Sequence, residues 1–357
     1  MRTSLLEFNN QVDQIKTHLN VLEKYSELIK DQNNDCVNYI KENSTEEKVF
    51  TYRSNIISLY GAFEQFLENI IKEYFQAVQH YYSSFEEWED TVTKNYFELW
   101  KKLHGKLSYP KYSAISQDSM VENLNDVIRN HKSTLIPECY IQNGGNYKST
   151  IISNMFNEIG ILNINDNLVK YEPFKSCLIN QNPDFQYLEP NKKKELYFQK
   201  LDDLVERRNE IAHGSRSSEI LNSDIFTELL FYISCYAESM NSFLFDRVRE
   251  KQWQSIKTKA IKIHNVFNKG KVALLNVEEM KGNGIDSFAV GDLLLVNYKE
   301  SDCSRFIMAK IEEIRVDLKN GEKEKVVDTA IVNEEIEEIS VGVSEKVKSG
   351  QKIKLMK

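Results

Sequence analysis

Turn-forming residues are scarce in this sequence, with 13 glycines and 5 prolines among 357 residues. So few interruptions exclude a loop-rich or collagen-like chain and point to long regular elements. The five cysteines (Cys36, Cys139, Cys177, Cys235 and Cys303) are odd in number and widely spread. With no Cys-x-x-Cys pair and no Cys/His cluster, neither a zinc site nor a disulfide framework is expected, and the thiols read as free in a reducing compartment. No stretch reaches the roughly 18–20 consecutive apolar residues that span a bilayer. The N-terminal MRTSLLEFNNQVDQIKTHLN has no apolar signal core and no small-residue cleavage site. A cytoplasmic protein without a membrane partner is therefore the expectation. A GxxxxGK[ST] phosphate loop and a serine-hydrolase elbow are also absent, which leaves ATPase and esterase readings without support.

Excess positive charge is missing too, since the formal net charge is −8. Residues 255–357 carry 18 Lys and Arg against 17 Asp and Glu, so the acidity rests on the rest of the chain. An acidic domain does not attract nucleic acid through a global field. Any action on RNA must use a local basic cleft.

Helical periodicity dominates up to about residue 250. Leu5, Phe8, Val12, Ile15, Leu19, Leu22 and Ile29 predict a helix over residues 4–43, with DQNNDC as a kink. The strongest amphipathic segment is Phe50–Val78, where Ile56, Tyr60, Phe63, Phe66, Leu67, Ile70 and Tyr74 share one face and read as core. Asn43–Thr45 followed by Glu46 and Glu47 reads as its start. Further helices are expected over 85–107, 119–131, 148–159, 191–213 and 225–249, with a polar loop at 215–222. From about residue 255 the texture changes to short β-branched runs (LLLVNY, RFIMAKIEEIRVDL, EKVVDTAIVN, IEEISVGV) separated by turn signals, with Asn320–Gly321 the clearest hairpin. These runs predict a compact all-β module without an aromatic RNA-stacking motif or a basic stripe.

The stretch that carries chemistry is Leu201–Gly214, LDDLVERRNEIAHG. On a helical wheel Leu201, Leu204, Val205, Ile211 and Ala212 form an apolar face, and Asp202, Glu206, Asn209, Glu210 and His213 line the opposite one. Arg208 falls inside the apolar stripe. A guanidinium there is costly unless an anion meets it. Three arrangements are open. The side chain can snorkel, it can meet a carboxylate from another helix, with Glu64 the candidate, or its face can border a cleft between subunits. His213 sits in the last turn, with Gly214 as the C-cap candidate. Histidine titrates near neutrality and is the natural acid/base for RNA cleavage by the 2′-hydroxyl. Arg208 and Arg207 can supply a fork of donors to phosphate, and Asn209 can hold a phosphate or a backbone. No carboxylate set for a metal accompanies them, and no cofactor is expected. The remaining histidines (His18, His80, His104, His131 and His264) have no matched partners in the pattern and read as surface residues.

The string RRNEIAHG at the end of an amphipathic helix resembles the signature of the HEPN superfamily of helical domains. The string YRSNIISLYGAFEQFLENIIKEYF at Tyr52–Phe75 resembles the first-helix motif of its MAE-type branch. The resemblance covers about residues 1–250; residues 255–357 resemble nothing familiar. It implies a dimeric helical bundle in which two Arg/His strips form a composite RNase site. On the matching positions Arg208 and His213 are the catalytic pair and Asn209 is the polar residue after the arginine. From the residues themselves, Arg207 is expected to assist substrate binding and Glu64 to support the site.

The expectation is thus a mainly α chain, with a HEPN-like helical bundle over 1–250 and a small, barrel-like β module over 255–357. Its expected activity is that of a metal-independent endoribonuclease acting as a homodimer on RNA, in a defence or toxin-like setting. The β module would bind a protein trigger, an antitoxin or a regulator. The alternative is a non-catalytic HEPN scaffold for protein or nucleotide binding, with His213 a helix-capping residue and Arg208 a buried ion pair.

Overall fold

Apolar residues at helical spacing dictate the first two-thirds of the chain. The structure is a computed structural model and describes residues 2–142, 146–214, 220–300, 303–323 and 325–356. It divides into two compact units, Met1–Phe245 and Asp246–Lys357.

The first unit is helical. Its elements are α1 (Arg2–Ile29), α2 (Asp35–Glu42), α3 (Ser44–Val78), α4 (Asp90–His104), α5 (Gln117–Arg129), α6 (Ser149–Glu158), α7 (Ile164–Leu168), α8 (Phe174–Gln181), α9 (Pro190–Ala212) and most of α10 (Ser223–Ser255). The long helix α3 is the core element. Ile56, Leu59, Tyr60, Phe63, Phe66, Leu67, Ile70 and Phe75 are all buried, each large side chain contributing on the order of 1.5–3 kcal/mol by leaving water. Phe66 meets Phe8 of α1 at 5.3 Å between ring centres, and Phe63 meets Tyr236 of α10 at 5.9 Å. The single helix expected over 4–43 is in fact two. The chain breaks after Ile29, and Asn34 restarts it by accepting from the Val37 N–H at 3.0 Å. Asn and Asp side chains compete for backbone groups in this way wherever they cluster. At the start of α10, Asn222 caps by accepting from the Ile225 N–H at 2.8 Å. The loop expected before it falls largely on residues outside those described.

The second unit is β-rich and begins with the last turns of α10. Its strands are β1 (Ile261–Phe267), β2 (Val272–Leu275), β3 (Ser287–Ala289), β4 (Leu293–Glu300), β5 (Cys303–Leu318), β6 (Lys325–Val327), β7 (Thr329–Ile331), β8 (Ile336–Val343) and β9 (Lys352–Met356), with a short helix α11 (Val277–Gly282). They pair in the order β4-β9-β1-β2-β8-β5, and β5 returns to β4, closing an antiparallel barrel. Closure removes the open edges that a flat sheet would present. β5 serves two neighbours because of a register shift between Ile311 and Glu313: its first half pairs β4 and its second half β8. β6 extends from β5 through the Asn320–Gly321 turn, where Gly321 takes φ +94°. Gly270 (φ +88°) is also obligatory, since a Cβ there would stand 2.7 Å from the Val347 carbonyl oxygen. Alternation puts Ile339, Val341 and Val343 of β8 inside with Ile314, Val296 and Ile353.

One buried ion pair fastens this unit. Arg305 Nη1 donates to Asp246 Oδ2 at 3.1 Å, and the Phe306 N–H donates to Asp246 Oδ1 at 3.3 Å. Burial lowers the Arg305 pKa to about 10, still far above neutrality, so the guanidinium keeps its charge. Lys354 Nζ donates to the Trp253 and Ile256 carbonyls at 2.9 and 2.8 Å, closing the C-terminal end of α10.

Candidate active site

The final turns of α9 leave the core as they run. Leu201, Leu204 and Val205 are fully buried, but Ile211 is only half-buried and Ala212 is exposed. The apolar face expected through Ala212 therefore ends about two turns early, because the packed part of the helix stops there. Arg208 lies where that face gives way to solvent.

Arg208 is half-buried. Its guanidinium carbon lies 4.8 Å from the centre of the Tyr60 ring, and Nη1 donates to Asn209 Oδ1 at 3.0 Å. The carboxylate expected from Glu64 is not its partner. The aromatic face of Tyr60, one turn earlier on α3, takes that place, and a cation over a ring is held by the ring quadrupole with on the order of 1 kcal/mol. Glu64 acts at longer range: burial, foremost, and then the Glu64 charge push the Tyr60 phenol above its ordinary pKa, against the Tyr147 N–H and Arg208. Tyr60 is accordingly neutral.

Arg207 points elsewhere. Its Nε donates to Asp203 Oδ2 at 2.7 Å and its Nη1 to the Tyr52 hydroxyl at 3.0 Å. These contacts tie up the fork expected to assist substrate, because Asp203 stands one turn away on the same helix face.

The polar face of α9 is not an open strip. Four consecutive residues run along it and onto α3. Asn146 Oδ1 accepts from Asn209 Nδ2 at 2.8 Å. The Tyr147 N–H donates to the Tyr60 hydroxyl at 3.1 Å, and the Tyr147 hydroxyl to Glu68 Oε1 at 2.9 Å. Lys148 Nζ reaches Glu206 Oε1 at 2.9 Å. Ser149 donates to Asp202 through its N–H at 2.7 Å and its Oγ at 2.9 Å. Asp202, Glu206 and Asn209 recur at four- and three-residue spacing, which keeps them in one row. Periodicity could not single out Asn146–Ser149, since Asn146–Lys148 precede α6 and Ser149 is only its first residue. Tyr60 was visible only as a core aromatic. The clue was an arginine in an apolar stripe, which needs an anion or an aromatic face.

His213 caps α9. Its N–H bonds to the Asn209 carbonyl at 3.0 Å, and Gly214 follows at φ +71° with its N–H on the Ile211 carbonyl. The ring is exposed and makes no hydrogen bond among the described residues. Five residues separate it from Arg208, which on a helix is roughly 140° of rotation and 7.5 Å of rise. Of the other histidines, His131 does have a partner, contrary to the pattern: Nδ1 stands 2.7 Å from Glu86 Oε1. No sequence spacing links two residues so far apart. Cys36, Cys139, Cys177 and Cys235 are free thiols, while the side chain of Cys303 lies outside the described set.

Among the described residues no helix is long and apolar enough to cross a membrane, and no group of three or more His, Cys, Asp or Glu is placed to hold a metal ion.

A helical first unit with Arg208, Asn209 and His213 at the end of α9 agrees with the HEPN-like bundle expected from the sequence. The chain belongs to the RiboL-PSP-HEPN family, whose model matches residues 20–246, well over half of its length. The HEPN assignment read from RRNEIAHG stands. The branch matched is RiboL-PSP-HEPN rather than the MAE-type branch to which Tyr52–Phe75 bears a likeness. A search of curated proteins found no match.

Proposed function

We propose that this chain is a metal-independent endoribonuclease that works as a homodimer, with Arg208 and His213 as its catalytic residues. One observation carries the reading: Arg208 is held at the edge of the core by a ring and an amide rather than by a carboxylate, and it shares its helix end with an exposed histidine. A guanidinium so supported keeps its charge for an incoming anion.

RNA brings its own nucleophile. His213 takes the proton of a 2′-hydroxyl while O2′ attacks the adjacent phosphorus. The P–O5′ bond breaks, leaving a 2′,3′-cyclic phosphate, and the O5′ leaving group takes a proton from an imidazolium. Arg208 neutralises the charge that builds on the phosphate oxygens. The rotation between Arg208 and His213 along one helix disfavours a site made by a single copy, and two copies of α9 facing each other supply the missing half. Phe50 and Ile57, seven residues apart on one face of α3, are large exposed apolar residues suited to such an interface. The setting that fits is cytoplasmic defence or toxin-like action, with the β barrel receiving a trigger, antitoxin or regulator.

The test is cleavage of total cellular RNA in the presence of EDTA. Wild type is expected to cut, and His213→Ala to lose roughly 10²–10⁴-fold in rate. Intact RNA after incubation with wild-type dimer overturns the nuclease reading; cutting at the wild-type rate by both His213→Ala and Arg208→Ala overturns the site. One feature favours a second reading, a non-catalytic scaffold: Asp202, Glu206 and Asn209 are already engaged within the chain, and a face closed in this way suits a rigid binding module.

A further inference from the structure

A guanidinium serves a phosphate only when its orientation is fixed, and two of the groups that orient Arg208 come from outside α9. The Tyr60 ring lies 4.8 Å from its central carbon. Beside it, Arg208 Nη1 donates to Asn209 Oδ1 at 3.0 Å, and Asn209 spends its other end as well, with Nδ2 donating to Asn146 Oδ1 at 2.8 Å. This amide cannot turn over without loss. A flip would set its NH₂ against the guanidinium and its oxygen against the oxygen of Asn146. Asn146, by accepting from the other end, holds Asn209 in the one orientation that turns its oxygen to the arginine. Tyr60 is tied to the same segment, because its hydroxyl accepts from the Tyr147 N–H at 3.1 Å. Lys148 and Ser149 fasten that segment to Glu206 and Asp202 on α9, so ring and amide are held as one support.

We infer that Tyr60 and Asn146 are positioning residues for Arg208, and that Asn209 is the link of this relay and does not itself hold phosphate. The inference rests on the nuclease reading above. It makes the segment entering α6 a working part of a site that the motif confines to α9.

The experiment compares steady-state RNA cleavage and melting temperature across four variants. Asn146→Ala removes the acceptor and is expected to lower kcat roughly ten- to a hundredfold, the scale of a small misplacement, with KM changed by less than about threefold. Asn146→Asp keeps the acceptor, so kcat stays within about threefold of wild type while KM rises, because the added charge repels phosphate. Tyr60→Phe keeps the ring and holds kcat, yet melts lower because the buried Tyr147 N–H loses its acceptor. Tyr60→Leu keeps the bulk, loses the ring and falls with Asn146→Ala. A purely structural role predicts instead that kcat follows melting temperature through all four, and that pattern overturns the relay, as does unchanged cleavage by Asn146→Ala. The Asn209 side-chain amide resonances give a readout independent of cleavage. They are expected to shift in Asn146→Ala, and their constancy overturns the relay whether or not RNA is cut. Intact RNA with wild type, by contrast, removes the nuclease reading, while the resonances still decide the relay.

Discussion

The helical unit and the β-rich unit both draw arginine side chains out of water, and they treat them differently. In the β-rich unit Arg305 is closed by Asp246, with both side chains about nine-tenths buried. In the helical unit α9 carries two arginines side by side. Arg207 is closed by Asp203 and Tyr52, whereas Arg208 rests on the Tyr60 ring and the Asn209 amide. A guanidinium met by a carboxylate is a fastening, because its charge is spent inside the protein. One supported by neutral groups is oriented and yet still cationic toward an anion. The neighbours Arg207 and Arg208 thus take opposite parts, although the sequence writes them alike.

The largest effect that could break this contrast is on cleavage. Arg208→Ala is expected to lower the rate of RNA cutting roughly 10²–10³-fold, the scale of losing one preorganised charge donor, whereas Arg207→Ala stays within about tenfold. Side-by-side initial rates check it, and equal losses would erase the distinction. Next comes the fastening in the β-rich unit. Asp246→Ala strands a buried guanidinium and is expected to cost about 3–5 kcal/mol, while replacing both partners together by Leu and Met recovers most of that. Urea unfolding followed through tryptophan fluorescence measures both, and a double variant as unstable as the single one would mean the pair contributes more than mutual compensation.

A smaller effect sharpens the role of Arg207. Asp203→Ala removes its partner at the edge of the helix and is expected to lower stability by about 1 kcal/mol, leaving cleavage nearly unchanged; a large kinetic loss would draw Arg207 into the site. The smallest lies on the surface. The His131 hydrogen bond, first, holds the Glu86 carboxyl at about 2, below its ordinary 4.5. A depressed carboxylate stabilises the fold fully above the unfolded value and ceases to do so as pH falls through the folded one. Glu86→Gln is therefore expected to lose a small stabilisation at neutral pH and to flatten the acid limb of a stability–pH curve between about 4.5 and 2, so that the two proteins converge at low pH. An unchanged acid limb would show that the exposed pair is without effect.

Much of this was legible from local pattern. The stripe Ile56–Tyr74 defines α3 because a 3.6-residue period needs no knowledge of the rest of the chain. The Asn320–Gly321 turn declares its hairpin for a similar reason, since a glycine is needed at φ +94°. The helix end carrying Arg208, Asn209 and His213 is likewise a local feature, as is the change of texture near residue 255. The break after Ile29 was only hinted at by its polar run, and the exposure of Ala212 depends on where the neighbouring core ends.

What the tertiary structure alone decided is which arginine is spent and which is kept. Arg207 finds Tyr52 across 155 positions of sequence, and Asn209 finds Asn146 across 63. No periodicity extends over such distances, because contact between remote segments is set by how helices pack and not by what precedes them. The sequence by itself determined that α9 ends with an arginine, an asparagine and a histidine. Packing against α3 and the segment Asn146–Ser149 decided that Arg208 would be met by a ring and an amide, and so left its charge available.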